Sequence, residues 1–203
     1  MRVDKVILRA ALSTVAAILG LVVFAVCALA LIYPSTMMQI TYDLGMDNLS
    51  IANAKQAYKR SGEIYYAAFG MEVAISIDDY EDIQTCGEWM VSDDEFVAYC
   101  KDKDEQMNLA DTGSYEQYIY GQVCLAVYRQ GDENGAVDKA IAYLDGNFSM
   151  HNALVTILVT AVVEKDDSTV EYIVGKMLAL QSEIGTQDTA YFEETLRFAQ
   201  SSK

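Results

Sequence analysis

The sequence predicts an all-α protein, with one N-terminal transmembrane helix followed by an antiparallel helical domain. Three observations predict it: an uncharged apolar run near the start, apolar residues recurring at helical spacing through the remainder, and a single proline in 203 residues. No stretch shows the alternating, β-branched, turn-bounded pattern of a sheet.

The apolar run extends from Ala10 to Tyr33 without a formal charge. At the rise of an α-helix it spans about 36 Å, enough to cross a bilayer with some tilt. A cleaved signal peptide competes, since the basic start and the Ala28-Leu29-Ala30 triplet resemble its ends. Its apolar region, however, is usually only about 7–15 residues, so the run reads as a retained anchor. Cys27 is a poor lipidation site because Val26 precedes it where a small residue is expected. Arg2, Lys5 and Arg9 flank the run on one side, and the first basic residue on the other is Lys55. The positive-inside rule then makes 1–9 a short cytoplasmic tail, 10–33 the membrane helix and 34–203 an extracytoplasmic domain in the cell membrane. Tyr33 suits the outer interface, and Pro34 breaks the chain between anchor and domain.

Beyond the anchor, Ile64, Ala67, Ala68, Met71, Ala74 and Ile75 form one apolar helical face, and Val170, Ile173, Val174, Met177 and Leu178 form another. Ser92 with Glu95, Ser114 with Gln117, and Ser168 with Glu171 have the spelling of capping boxes. Helices are expected over 35–44, 48–61, 63–77, 92–103, 114–130, 133–145, 150–164, 168–183 and 187–200, joined by short loops as antiparallel hairpins. The apolar stretch Met150–Val163 is too short for a second span and should be a central core helix.

The chain carries 14 basic and 30 acidic residues, a net charge of −16. Setting aside Arg2, Asp4, Lys5 and Arg9 leaves 11 basic and 29 acidic residues, a net of −18. Such a surface repels nucleic acid and anionic headgroups, which excludes nucleic-acid binding.

A more specific signal lies in Ala57-Tyr58-Lys59-Arg60-Ser61-Gly62-Glu63-Ile64-Tyr65-Tyr66-Ala67 and on to Ala74. Gly62, Ala67 and Ala74 have the offsets of a turn glycine and two helix-packing alanines, and Gly131 with Ala136 repeats part of this later in the chain. This pattern resembles the tetratricopeptide repeat over 45–79 and 115–180, with Lys165-Asp166-Asp167 in the turn position one period beyond Gly131. Gly62 and Gly131 are separated by close to two of that repeat's periods of about 34 residues. The copies are degenerate: Tyr143 stands where a later small residue belongs, and Ser92 replaces a glycine in a shifted register. A non-repetitive helical bundle is the alternative. The resemblance implies a stack whose first helices line a concave protein-binding face, nominating Tyr58, Lys59, Tyr118 and Gln122 for partner contact. Core filler between hairpins is the competing role for the two tyrosines.

Residues for chemistry are sparse. His151 is the sole histidine and sits at a helix start, and no Gly-rich phosphate loop, HExxH, GxSxG or CxxC spelling occurs. The acidic runs 78–82 and 102–105 lack the glycine and final glutamate of a calcium loop. No cofactor, metal or small-molecule substrate is expected, and the chain reads as a non-enzyme. Cys86 and Cys100 can form a disulfide in an oxidising compartment or remain buried thiols alongside Cys124. Asn48 and Asn147 open glycosylation triplets, relevant only in a eukaryotic source. The function expected is a membrane-tethered scaffold that binds other proteins in an envelope complex. The alternative is an accessory subunit of a transport or secretion machine, held through Ser13, Ala16, Ala17 and Gly20 on one face of the membrane helix.

Overall fold

A computed structural model describes residues 2–108, 114–144, 152–180 and 189–202, and among these it contains eleven helices and no strand. They are α1 (Arg2–Ile32), α2 (Pro34–Asp43), α3 (Asp47–Ser61), α4 (Ile64–Ser76), α5 (Tyr80–Val91), α6 (Phe96–Gln106), α7 (Ser114–Arg129), α8 (Glu133–Ala142), α9 (Asn152–Glu164), α10 (Asp167–Leu180) and α11 (Thr189–Ser201). Arg9–Ile32 within α1 is long and apolar enough to cross a membrane, and none of its most apolar window is buried against the domain.

Helices α2–α4 and α6–α11 match expected spans within a few residues, and α1 starts earlier than its apolar run; α5 has no expected counterpart. The expected helices leave 78–91 unassigned, with the acidic run Asp78-Asp79-Tyr80-Glu81-Asp82 at its start. The helix forms because Asp79 caps it, its carboxylate accepting the Asp82 N–H at 3.2 Å. Ile83, Cys86, Gly87 and Met90 then recur at helical spacing and are buried. Two expected capping boxes are also corrected. Ser92 closes α5, its hydroxyl donating to the Trp89 carbonyl, and α6 starts beyond it at Phe96. At α10 the acceptor is Asp166, which takes the Thr169 N–H at 3.1 Å while the Ser168 hydroxyl donates to the same carboxylate.

The hairpins share one kind of turn. At Gly45, Asp78, Gly131 and Lys165 the backbone enters the left-handed region, with φ of 68°, 56°, 85° and 60°. At each, that residue's N–H bonds the carbonyl three residues back, and the next N–H bonds the carbonyl five residues back. This is the Schellman closure, which satisfies the last carbonyls of one helix and starts the next within two residues. Asp78 follows Gly45, and Lys165 follows Gly131, at an interval of about 34 residues, the length of a helix-turn-helix repeat. The interval from Asp78 to Gly131 is longer because it contains α6. The four turns join α2 to α3, α4 to α5, α7 to α8, and α9 to α10.

Stacking of these hairpins produces two layers. In the first, α2 meets α4 through Tyr42 and Phe69 (ring centroids 5.3 Å apart). There α4 meets α7 where the Tyr115 hydroxyl donates to Glu72 at 2.9 Å. Next, α7 meets α9 through Gly121 and Thr156 and through the Arg129–Glu164 ion pair. In the second layer, α3 meets α5 through Lys55–Asp82 and Tyr58–Trp89, and α5 meets α8 through Lys139–Glu88 at 2.6 Å. Then α8 meets α10 where Lys176 and the Tyr172 hydroxyl reach Asp138 at 2.6 and 3.0 Å. Helix α11 extends the first layer beyond α9. Helix α6 lies outside this alternation, packed on α7 through Phe96 and Tyr120.

Two hydrophobic clusters form the core and meet along α7, which contributes Ile119 and Val123 to one and Cys124 and Val127 to the other. Helix α9 is the central core helix expected, with Ala153, Leu154, Ile157, Leu158 and Ala161 at most 1% exposed.

The turn role expected of Gly62 rests on its backbone alone. A Cβ there meets nothing within 4 Å, so the residue does not permit close helix approach. Its role is the left-handed φ of 72° at the end of α3, where its N–H bonds the Tyr58 carbonyl. It also lies between hairpins, whereas Gly131 lies within one. Ala67, Ala74 and Ala136, all fully buried, are the positions where small side chains admit a neighbouring helix.

Partial burial pushes the Asp166 carboxyl up, but hydrogen bonds from Ser168, Thr169 and Tyr128 outweigh it and hold the group at about 2. Because the folded-state value is depressed, the cap contributes fully above the unfolded value of about 3.9. That contribution is lost as pH falls through about 2. Asp166→Ala is expected to lower stability at pH 7 by about 1 kcal/mol, as for other N-caps. Chemical denaturation at pH 7 and pH 2 checks this: the difference between variant and parent should shrink at the lower pH.

Candidate protein-binding surface

The four nominated residues fall on opposite layers. Tyr58 and Lys59 belong to α3 in the second layer. The Tyr58 ring stacks on Trp89 (centroids 5.1 Å apart, 15° between planes), and its hydroxyl reaches the Trp89 carbonyl and Asp93. The Lys59 ammonium lies 5.4 Å from the Trp89 ring centroid. Tyr58 therefore joins α3 to α5 in the packing role weighed for it, and its apolar face is taken up by Trp89. Burial, together with Asp93, pushes its phenol above the ordinary value.

Tyr118 and Gln122 belong to α7 in the first layer and line an open groove of about 480 Å³ against Val155, Thr156, Val159 and Thr160 of α9. Gly121 lies on the floor, where a Cβ would come within 3.2 Å of the Thr156 hydroxyl. A second hollow of about 250 Å³ continues it through Val155 and Leu158 to Thr195 and Phe198 of α11. Tyr118, Val159 and Phe198 each expose 44–45% of their surface, an unusual amount for large apolar groups spaced along one trough. Apart from Glu194 at its outer end, the lining is uncharged, although the domain as a whole is strongly acidic.

The surface exists because α7 and α9 run in the same direction 35 residues out of step, as Gly121–Thr156 and Arg129–Glu164 show. Parallel neighbours present equivalent faces side by side, so one exposed column per helix becomes a continuous trough. Val155 and Val159 escape a reading of the sequence because α9 is so largely apolar that its pattern does not mark which valines lie outside the core. Trp89 escapes it because its helix does.

Cys86 and Cys100 are free buried thiols in the structure. Cys86 faces Gly70, where a Cβ would lie 3.0 Å from its Sγ. Burial, with Asp82 adding to it, pushes its thiol up to about 12; burial with Glu116 and Asp104 does the same for Cys100. Cys124 is also held at about 12, by burial. All three stay protonated at neutral pH and are poor nucleophiles. No group of three or more potential metal-ligating side chains occurs among the described residues. His151 and Asn147 lie outside the described residues, and Asn48 is exposed in the first turn of α3.

No protein family, curated protein or solved structure matches the chain.

Proposed function

We propose that this protein is a membrane-tethered, non-enzymatic adaptor whose TPR-like domain holds a segment of another protein in the groove along α7, α9 and α11. The observation that carries the reading is that trough, uncharged apart from Glu194, with Tyr118, Val159 and Phe198 exposed along it. The recurrence of one turn geometry at an interval of about 34 residues, from Gly45 to Asp78 and from Gly131 to Lys165, supports the repeat reading. In a stack of this kind the first-layer helices present the binding face, and rigid aromatic and aliphatic groups there recognise an apolar partner segment at small entropic loss. On this reading α1 anchors the protein in the cell membrane, and Arg2, Lys5 and Arg9 keep the N-terminus in the cytoplasm with the domain outside.

A second reading, an accessory subunit held through its membrane helix, is favoured by α1 itself. The most apolar part of the helix is uncovered by the domain, and around Gly20 nothing lies within 4 Å of a Cβ position. Ser13, Ala16, Ala17 and Gly20 share the face through which another membrane helix could approach.

Capture of partners from cells in mild detergent separates the two. Val159→Glu and Tyr118→Ala should lose the captured protein with little change in melting, since both side chains are nearly half exposed on the groove. Leucine at Ala16 and Gly20 should leave capture intact. The reverse pattern favours the second reading, and protease added to intact cells reports the side on which the domain lies.

A further inference from the structure

The end of α1 is not free of the domain. The chain breaks helix at Tyr33, and Pro34 has no N–H to continue the ladder. The Arg60 guanidinium, at the end of α3, reaches back to the Ile32 carbonyl at 3.4 Å. This contact ties the α3–α4 turn to the level at which α1 would leave a bilayer. Helices α3 and α5 run in the same direction, as Lys55–Asp82 and Tyr58–Trp89 show. The end of α5 therefore reaches the same edge, and Trp89 lies there beneath the Lys59 ammonium. Tyr33 is 57% exposed, and Val97 in the first turn of α6 is 63% exposed. The four Schellman turns lie at the opposite ends of these hairpins.

We infer that this edge, formed by Tyr33, Lys59, Arg60 and Trp89, rests in the headgroup layer of the bilayer that α1 spans and holds the domain at a fixed attitude to the membrane. Interfacial tyrosine and tryptophan favour that layer because one part of each ring system is apolar and another hydrogen-bonds. The charges suit a zwitterionic phospholipid. Lys59 and Arg60 can meet phosphates, while Glu63, Asp93 and Asp94 on neighbouring turns can meet the ammonium groups. A wholly anionic surface would be repelled by those acids. The inference rests on α1 being a membrane helix and does not depend on the groove.

Trp89 is the sole tryptophan, so its fluorescence reports this edge without background. The full chain is incorporated into phosphatidylcholine nanodiscs, with and without a phosphatidylcholine that carries a nitroxide on its headgroup. The expected result is strong quenching of Trp89 by the labelled lipid, with protection from aqueous acrylamide relative to the protein in detergent. The double variant Lys59→Glu, Arg60→Glu should lose most of that quenching while its helical circular dichroism and melting stay as in the parent. Protein that enters the discs but shows no headgroup quenching and full acrylamide access overturns the inference and leaves the membrane reading of α1 standing. Protein that does not enter the discs overturns both. Quenching unchanged in the double variant overturns the role given to Lys59 and Arg60.

Discussion

Gly87→Leu is expected to destabilise the domain by about 3 kcal/mol, at the upper end of the usual range for overpacking. Gly87 sits in the middle of α5 at its closest approach to two other helices. An added Cβ would lie 2.3 Å from Val123 Cγ2 of α7 and 3.2 Å from the Met71 Sδ and Cε of α4. Methionine can swing away, but a buried valine has one preferred rotamer in a helix, so α7 itself must move. Gly87→Ala is a gentler form of the same test. Its clash opposes a gain in helix propensity of about 1 kcal/mol, and pairing it with Val123→Ala removes the clash while keeping the gain. Denaturation of the two single variants and the double variant should therefore be strongly non-additive, with the double variant more stable than the sum of the singles predicts. Additive effects would mean that α5 and α7 are farther apart than the structure places them.

Ile157→Ala should destabilise by about 2–5 kcal/mol, the range for deleting a large buried aliphatic group. Ile157 is fully buried in the cluster that joins α7, α8, α9, α10 and α11, including Val127, Val137, Val170 and Leu196. No single neighbour can collapse into the space, because the side chains around it come from several helices held by their own contacts. Thermal melting of the domain should fall by roughly 4–20 °C for a loss of that size in a chain of this length. The neighbouring position Val159 gives the contrast: two residues along the same helix, it is 45% exposed in the groove, so its replacement should bear on binding. An equal fall in melting at both positions would mean that the α9 groove is closed in the folded protein.

Each place where the sequence misleads has a local physical cause. At α5, the acidic run fits the start of a helix, with Asp79 as N-cap and Glu81 and Asp82 in the first turn, but the short apolar set that follows is too sparse to mark the helix by period alone. At Gly62, a glycine followed by alanines at repeat spacing suggests the turn within a hairpin, yet the residue closes the second helix of one hairpin and precedes the next. The Lys165 turn is legible from its spacing beyond Gly131, but the shared geometry is obscured because Asp78 and Lys165 occupy the left-handed positions that Gly45 and Gly131 also fill. Only glycine adopts that conformation without strain, so a search for glycines finds two of the four turns. Of the nominated residues, Tyr118 and Gln122 line the groove, while Tyr58 and Lys59 lie on the other layer because Gly62 ends the second helix of its hairpin.

By itself the sequence determined the helical class, the apolar segment long enough to cross a membrane, most helix boundaries, the central place of α9 and the acidic surface. Each follows from a local quantity: apolar periodicity, run length, capping residues or charge count. Only the tertiary structure decided which helices share a layer, where α6 interrupts the stack, which of two tyrosines faces solvent, and that Arg60 reaches the Ile32 carbonyl. These depend on contacts between residues 27 to 51 positions apart, such as Lys55 with Asp82, Arg129 with Glu164 and Lys139 with Glu88. A periodic pattern shows that a helix has a buried face, but the packing of whole helices settles which neighbour covers it, and the pattern of any one helix does not encode that choice.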